Sequence, residues 1–155
     1  MWNKERSVTL SIAVCILFTA ILTAGLFCMP WLVKTWFSLY RGWDENSHAM
    51  DSMLTLFSVC FYPCAVFAYM TLYSLLRLLF NIRRQDIFVP QNPKYLRRIC
   101  WCCFAVAGIT FAGGWFYIPF FFVAVAAAFV GLLLRVVKNV MQNAVEINAE
   151  NELTI

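Results

Sequence analysis

Charge divides this chain into blocks. Residues 8–33 make a run of 26 without Asp, Glu, Lys, Arg or His, and residues 52–76 make a second such run. Residues 99–134 make a third, 36 residues long. A helix needs about 20 apolar residues to cross the hydrocarbon core of a bilayer. The first two runs each predict one membrane span. The third is too long for one and suits two short ones. Gly113 and Gly114 offer a turn within it, and Pro119 can start the next helix. The expected spans are therefore 8–33, 52–76, 99–112 and 119–134. Pro63, near the middle of the second, is expected to kink it. The first run is too long for the apolar core of a signal peptide, about 7–15 residues. Gly25, Leu26, Phe27 and Cys28 also form a poor lipoprotein cleavage pattern. It reads as a retained span.

Short spans need close packing. Ala105, Gly108 and Ala112 recur at helical spacing on the third span, and Ala124, Ala128 and Gly131 do so on the fourth. Apolar attraction is weak between helices in lipid, so small residues that let backbones approach are expected to hold this hairpin. Trp115, Phe116 and Tyr117 would lie at the membrane interface, as would Trp36, Tyr40 and Trp43 of the first loop. The second loop, 77–98, holds Pro90 and Pro93, which break a continuous helix. A tail from residue 139 starts amphipathic, with Val136, Val140, Met141 and Ala144 near one face, and ends acidic.

Composition sharpens the class. Hydrophobic residues make up 63% and charged residues 13%, against about 45–50% and 25% in soluble domains. The fold class is an all-α membrane protein, a single domain over residues 1–155. It has four transmembrane helices in an antiparallel bundle and a cytoplasmic helical tail. Of the 12 Lys and Arg residues, Lys4, Arg6, Arg77, Arg83, Arg84, Lys94, Arg97, Arg98, Arg135 and Lys138 fall on one side of that layout. Only Lys34 and Arg41 fall on the other. By the positive-inside rule both termini are cytoplasmic. The basic residues sit at span ends rather than on one polar face, so direct nucleic-acid binding is not expected.

Candidate chemistry is sparse. Seven cysteines in or beside apolar runs do not make a secreted disulfide framework. Cys60 and Cys64 are four apart, but no His or carboxylate lies near to complete a metal set. They read as packed thiols. Cys100, Cys102 and Cys103 lie beside the membrane, where lipidation occurs in some proteins. His48, Asp44 and Asp51 would share a helical face and could sense a cation or pH, although a solvated loop is the plainer reading. No span carries a central ionisable group, which argues against an ion-coupled transporter. Phosphate-loop, zinc-protease and nucleophile-elbow motifs do not occur. No enzyme activity, catalytic residue, cofactor or metal is expected. The basic loop either sets topology or meets anionic headgroups.

Two stretches carry a resemblance. Residues 82–99 read IRRQDIFVPQNPKYLRRI, and residues 149–155 read AENELTI. With the four-span layout, they resemble a bacterial membrane family known only as domain of unknown function 2975. Its loop between spans two and three has a similar Phe, a helix start with Asn, then Leu-Arg-x-Ile. Its members end in a similar acidic run. This chain departs in having Val89 and Pro90 after the Phe, and Asp86 where a Gly is usual. The resemblance implies no chemistry. Family members are often encoded beside small helix-turn-helix regulators, which implies a cytoplasmic protein partner. The expected docking residues are Arg83, Arg84, Arg97 and Arg98 of the loop, with Glu150, Glu152, Leu153 and Ile155 of the tail. Leu153 and Ile155 alternate with Glu152 and Thr154, a strand-like ending. The expected role is a membrane regulator of the bacterial cytoplasmic membrane, with a homo-oligomer compatible. The rival is a small pore, a transporter subunit or an immunity protein against a membrane-active peptide.

Overall fold

The computed structural model describes the backbone of residues 4–42, 47–84 and 89–153, and the side chains of these except 4, 5 and 151–153. The described chain is four helices in sequence order: α1 Lys4–Arg41, α2 His48–Arg83, α3 Asn92–Gly114 and α4 Pro119–Leu153. All four are long and apolar enough to cross a membrane.

All four helices outrun the spans read from charge. At 1.5 Å per residue, the 38 residues of α1 reach about 57 Å, nearly twice a hydrocarbon core of about 30 Å. An α-helix satisfies its own backbone, so it needs apolar side chains only inside the membrane. α1 therefore runs through Lys34 and stops at a cap. Gly42 takes φ 59°, and its N–H donates to the Ser38 carbonyl at 3.1 Å. That left-handed stop suits glycine. α2 starts where the Ser47 hydroxyl accepts from the Met50 N–H at 3.2 Å, and it runs unbroken through Pro63.

Packing follows chain order. The main contacts are α1 with α2, α2 with α3 and α3 with α4, and α2 also reaches the first turn of α4, where the Phe57 and Phe120 ring centroids are 5.1 Å apart. The expected bundle is thus open: α1 and α4 do not meet. Between them lies an apolar groove of about 290 Å³ lined by Phe18 and Leu22 of α1 and Ala127 of α4, with Leu72 and Cys103 among its floor residues.

Two clusters close the ends. At one, Met29, Val33, Phe37 and Met50 form a buried core. Tyr117, from the turn between α3 and α4, reaches into it. Its ring lies 6.2 Å from Phe37 and 5.3 Å from Phe57, centroid to centroid. At the other end the Asn81 side-chain amide donates to the Asn92 side-chain oxygen at 2.8 Å, and Asn92 is wholly buried. Between the ends, α1 and α2 share a Thr23–Tyr69 hydroxyl pair at 2.7 Å. Hydroxyls inside the helices, such as Ser74 and Thr110, donate back to carbonyls four residues earlier. Such bonds hide polar atoms from lipid.

The α3–α4 hairpin forms, with Ala124 and Gly131 of the expected stripe on α4 buried and Ala128 half-buried, but the stripe expected on α3 does not carry it. Gly108 is exposed, and a Cβ added there would meet nothing within 4 Å. Ala112 is exposed too. The contact surface turns instead through Cys100, Cys103, Phe104 and Gly114. An added Cβ on Gly131 would lie 3.3 Å from the Cys103 Cβ, and one on Gly114 would lie 2.9 Å from the Phe121 ring. Gly113 and Gly114 end α3 with helical backbone, and the turn is made by residues 115–118. Their value is the missing Cβ, not a turn conformation.

Candidate functional site

The basic end of the helices holds most of the residues singled out above. Arg83 is the last residue of α2 and Arg84 caps it. Both are exposed, as are Arg97 and Arg98 in the second turn of α3. α4 brings Arg135 and Lys138 to the same level. One cleft of about 310 Å³ is lined by Pro90, Pro93, Lys94 and Arg97 on the loop side and by Lys138, Gln142, Val145 and Glu146 on α4. So the second half of the first stretch that carries the resemblance packs beside the helix that leads to the other.

The local sequence explains the placement. Pro93 sits in the first turn of α3, where a missing N–H costs nothing. The Asn92 N–H donates to the Val89 carbonyl at 3.0 Å, which turns the chain into the helix. On α4, Lys138, Met141, Ala144, Val145 and Asn148 are half-buried, while Val136 and Val140 are exposed. The amphipathic face is therefore rotated from the one expected. The cause is α3, which takes the side of α4 that continues from Gly131.

The tail ends differently from its pattern. α4 is a single helix to Leu153, so Glu152 and Leu153 belong to a helix and not to an extended end. The strand-like alternation is only two residues deep, and a helix already running costs little to extend. Thr154 and Ile155 lie outside the described residues, as do Asp86 and Asp44. Glu150 is exposed. It lies 12 residues beyond Lys138, about 18 Å along the axis, which takes α4 past the start of α3. The structure thus brings Arg97 together with Lys138 and Glu146. It does not bring α4 onto Arg83 and Arg84: among the described residues the backbones of α2 and α4 stay apart, and their ring contact, Phe57 with Phe120, lies toward the opposite end of α2.

Of the thiols, Cys100 and Cys102 are buried, and the Cys100 Sγ donates to the Gly131 carbonyl at 3.1 Å. That leaves little room for lipidation at either. Among the described residues no group of three His, Cys, Asp or Glu side chains could hold a metal. Sequence reasoning passed over Asn92. The signal was there, an Asn-Pro pair at a helix start, but its burial depends on Asn81 from another helix.

Residues 38–155, well over half of the chain, match the family described as Protein of unknown function (DUF2975). No curated protein and no solved structure matches the chain.

Proposed function

The chain belongs to the DUF2975 family, and from that premise we propose that it is a non-enzymatic regulator in the bacterial cytoplasmic membrane. Its four helices cross the bilayer in alternating directions, with both termini in the cytoplasm. A soluble cytoplasmic protein, such as a helix-turn-helix regulator, docks on the second loop and the end of α4.

One observation carries this reading. The cleft between Pro90, Pro93, Lys94 and Arg97 and the Lys138–Glu146 turns of α4 lies directly before a stretch of α4 that outruns α3. A helix end projecting from a basic membrane surface offers a partner both a charged base and an acidic rod. The tail has less reason to fold on its own loop, because the backbone leads away from it.

Two outcomes test the reading. Removal of residues 150–155 should leave membrane insertion intact and abolish capture of a co-expressed helix-turn-helix regulator by pull-down. Equal recovery of the regulator with the full and shortened chains would defeat the docking role. Orientation is checked separately, on a cysteine-free background. A cysteine at position 48 should react with an impermeant maleimide added to intact cells, and one at position 91 should react only after lysis. Both positions are exposed. Reaction at 91 in intact cells would reverse the topology.

A further inference from the structure

We propose that the cleft between α3 and α4 at the basic end binds the phosphate of an anionic phospholipid. Arg97, Cys100, Trp101, Phe104, Arg135 and Lys138 line it, and its volume is about 390 Å³. It is a different cleft from the partner surface, although Arg97 and Lys138 stand on the ridge between the two.

The argument starts from charge. Three cations from two helices converge on one hollow. Among the described residues no carboxylate lines it. Like charges gathered this way repel one another unless an anion sits among them. Glu146 serves the neighbouring cleft, two turns further along α4.

Depth then selects the anion. Arg135 is the first charge after the uncharged run 99–134, so it stands where hydrocarbon gives way to headgroups. Arg97 and Trp101 both line the cleft and are one helical turn apart on α3, with Arg97 nearer the start of the helix and so nearer the loop. Trp101 is 66% exposed and, with Phe104, forms the deeper wall. The floor is closed where Cys100 bonds the Gly131 carbonyl at 3.1 Å, with α3 so close that a Cβ on Gly131 would lie 3.3 Å from the Cys103 Cβ. The cleft therefore changes from cationic to aromatic along the membrane normal. A phospholipid changes in the same sense, from phosphate to glycerol and acyl chain. A phosphodiester can take a bidentate bond from either arginine. A free phosphate would use the cations and leave the exposed aromatic wall against lipid.

Native mass spectrometry of the full chain in dodecyl maltoside, titrated with dioleoyl phosphatidylglycerol, tests this. One lipid should stay bound, and dioleoyl phosphatidylcholine should bind far more weakly. Each cation removed should weaken phosphatidylglycerol binding about fivefold, so Arg135→Gln with Lys138→Gln should weaken it roughly 25-fold. Arg135→Lys should retain binding. Arg6→Gln, which removes one charge at the same end, on a helix whose described backbone approaches neither α3 nor α4 and which contributes no residue to the cleft, should leave it unchanged. Melting curves of each variant show whether it is folded. Equal binding of the two lipids, or equal loss on Arg6→Gln, overturns the site. Displacement of the lipid by 10 mM inorganic phosphate would show a soluble-anion site and overturn the lipid assignment.

Discussion

Gly113→Leu should destabilise the protein sharply, whereas Gly108→Leu should leave it nearly unchanged. Both glycines lie on α3, five residues apart, and only the first faces neighbours. A Cβ added at Gly113 would lie 2.7 Å from the Cys60 Sγ on α2 and 3.0 Å from a Phe120 ring carbon on α4. Gly113 is thus the point where three helices meet. The Cys60 thiol can rotate away, but the Phe120 ring is held between Phe57, at 5.1 Å, and Tyr117, at 5.7 Å. Leucine adds four carbons where neither neighbour can clear enough space. Overpacking of a tight core costs about 1–3 kcal/mol and at times more. The upper end is expected here, because Gly113 abuts both α2 and α4. At Gly108 the new side chain would point into lipid. Unfolding in a detergent titration should separate the two variants, and equal loss at both positions would refute the helix rotation described here. A cycle adds a second check. Cys60→Ala should relieve part of the cost of Gly113→Ala, with a coupling of about 0.5–3 kcal/mol. Additive effects would mean the two side chains do not share that space.

Asn92→Ala should cost about 1–3 kcal/mol, the usual loss when a buried polar partner is left unmade. Asn92 is wholly buried at the first residue of α3, and its oxygen accepts from the Asn81 amide at 2.8 Å. The bond ties α2 to α3 across the second loop. Truncation removes that acceptor and leaves the Asn81 N–H₂ group half-buried without it. The loop should then open more often, so trypsin should cut faster at Arg83, Arg84 and Lys94. The Asn81→Ala, Asn92→Ala cycle isolates the pair. Unchanged cleavage and no coupling would mean that α2 and α3 are held by apolar contacts alone.

Four helices could be counted from the sequence because a charge inside a bilayer is expensive. Blocks without charge are therefore visible before any packing is known. The same holds for the Pro119 helix start, the Asn-Pro start of α3 and the basic cluster at one set of span ends. Each rests on backbone chemistry or on net charge, which are local. The span limits were too short because charge marks where lipid stops, not where a helix stops. Gly42 and Ser47 mark the helix ends instead.

Helix rotation was not legible. In lipid nearly every side chain of a span is apolar, so polarity gives no sign of which face meets protein. Ala105, Gly108 and Ala112 looked like a packing stripe by spacing, yet Gly108 and Ala112 face outward while Cys100, Phe104 and Gly114 carry the contact. The candidate site shows the same division. Arg97, Arg135 and Lys138 were each visible as span-end cations. Their convergence over Trp101 follows from the pairing of α3 with α4, and the burial of Asn92 follows from Asn81. Contacts of that kind join residues distant in the chain, so only the tertiary structure decides them.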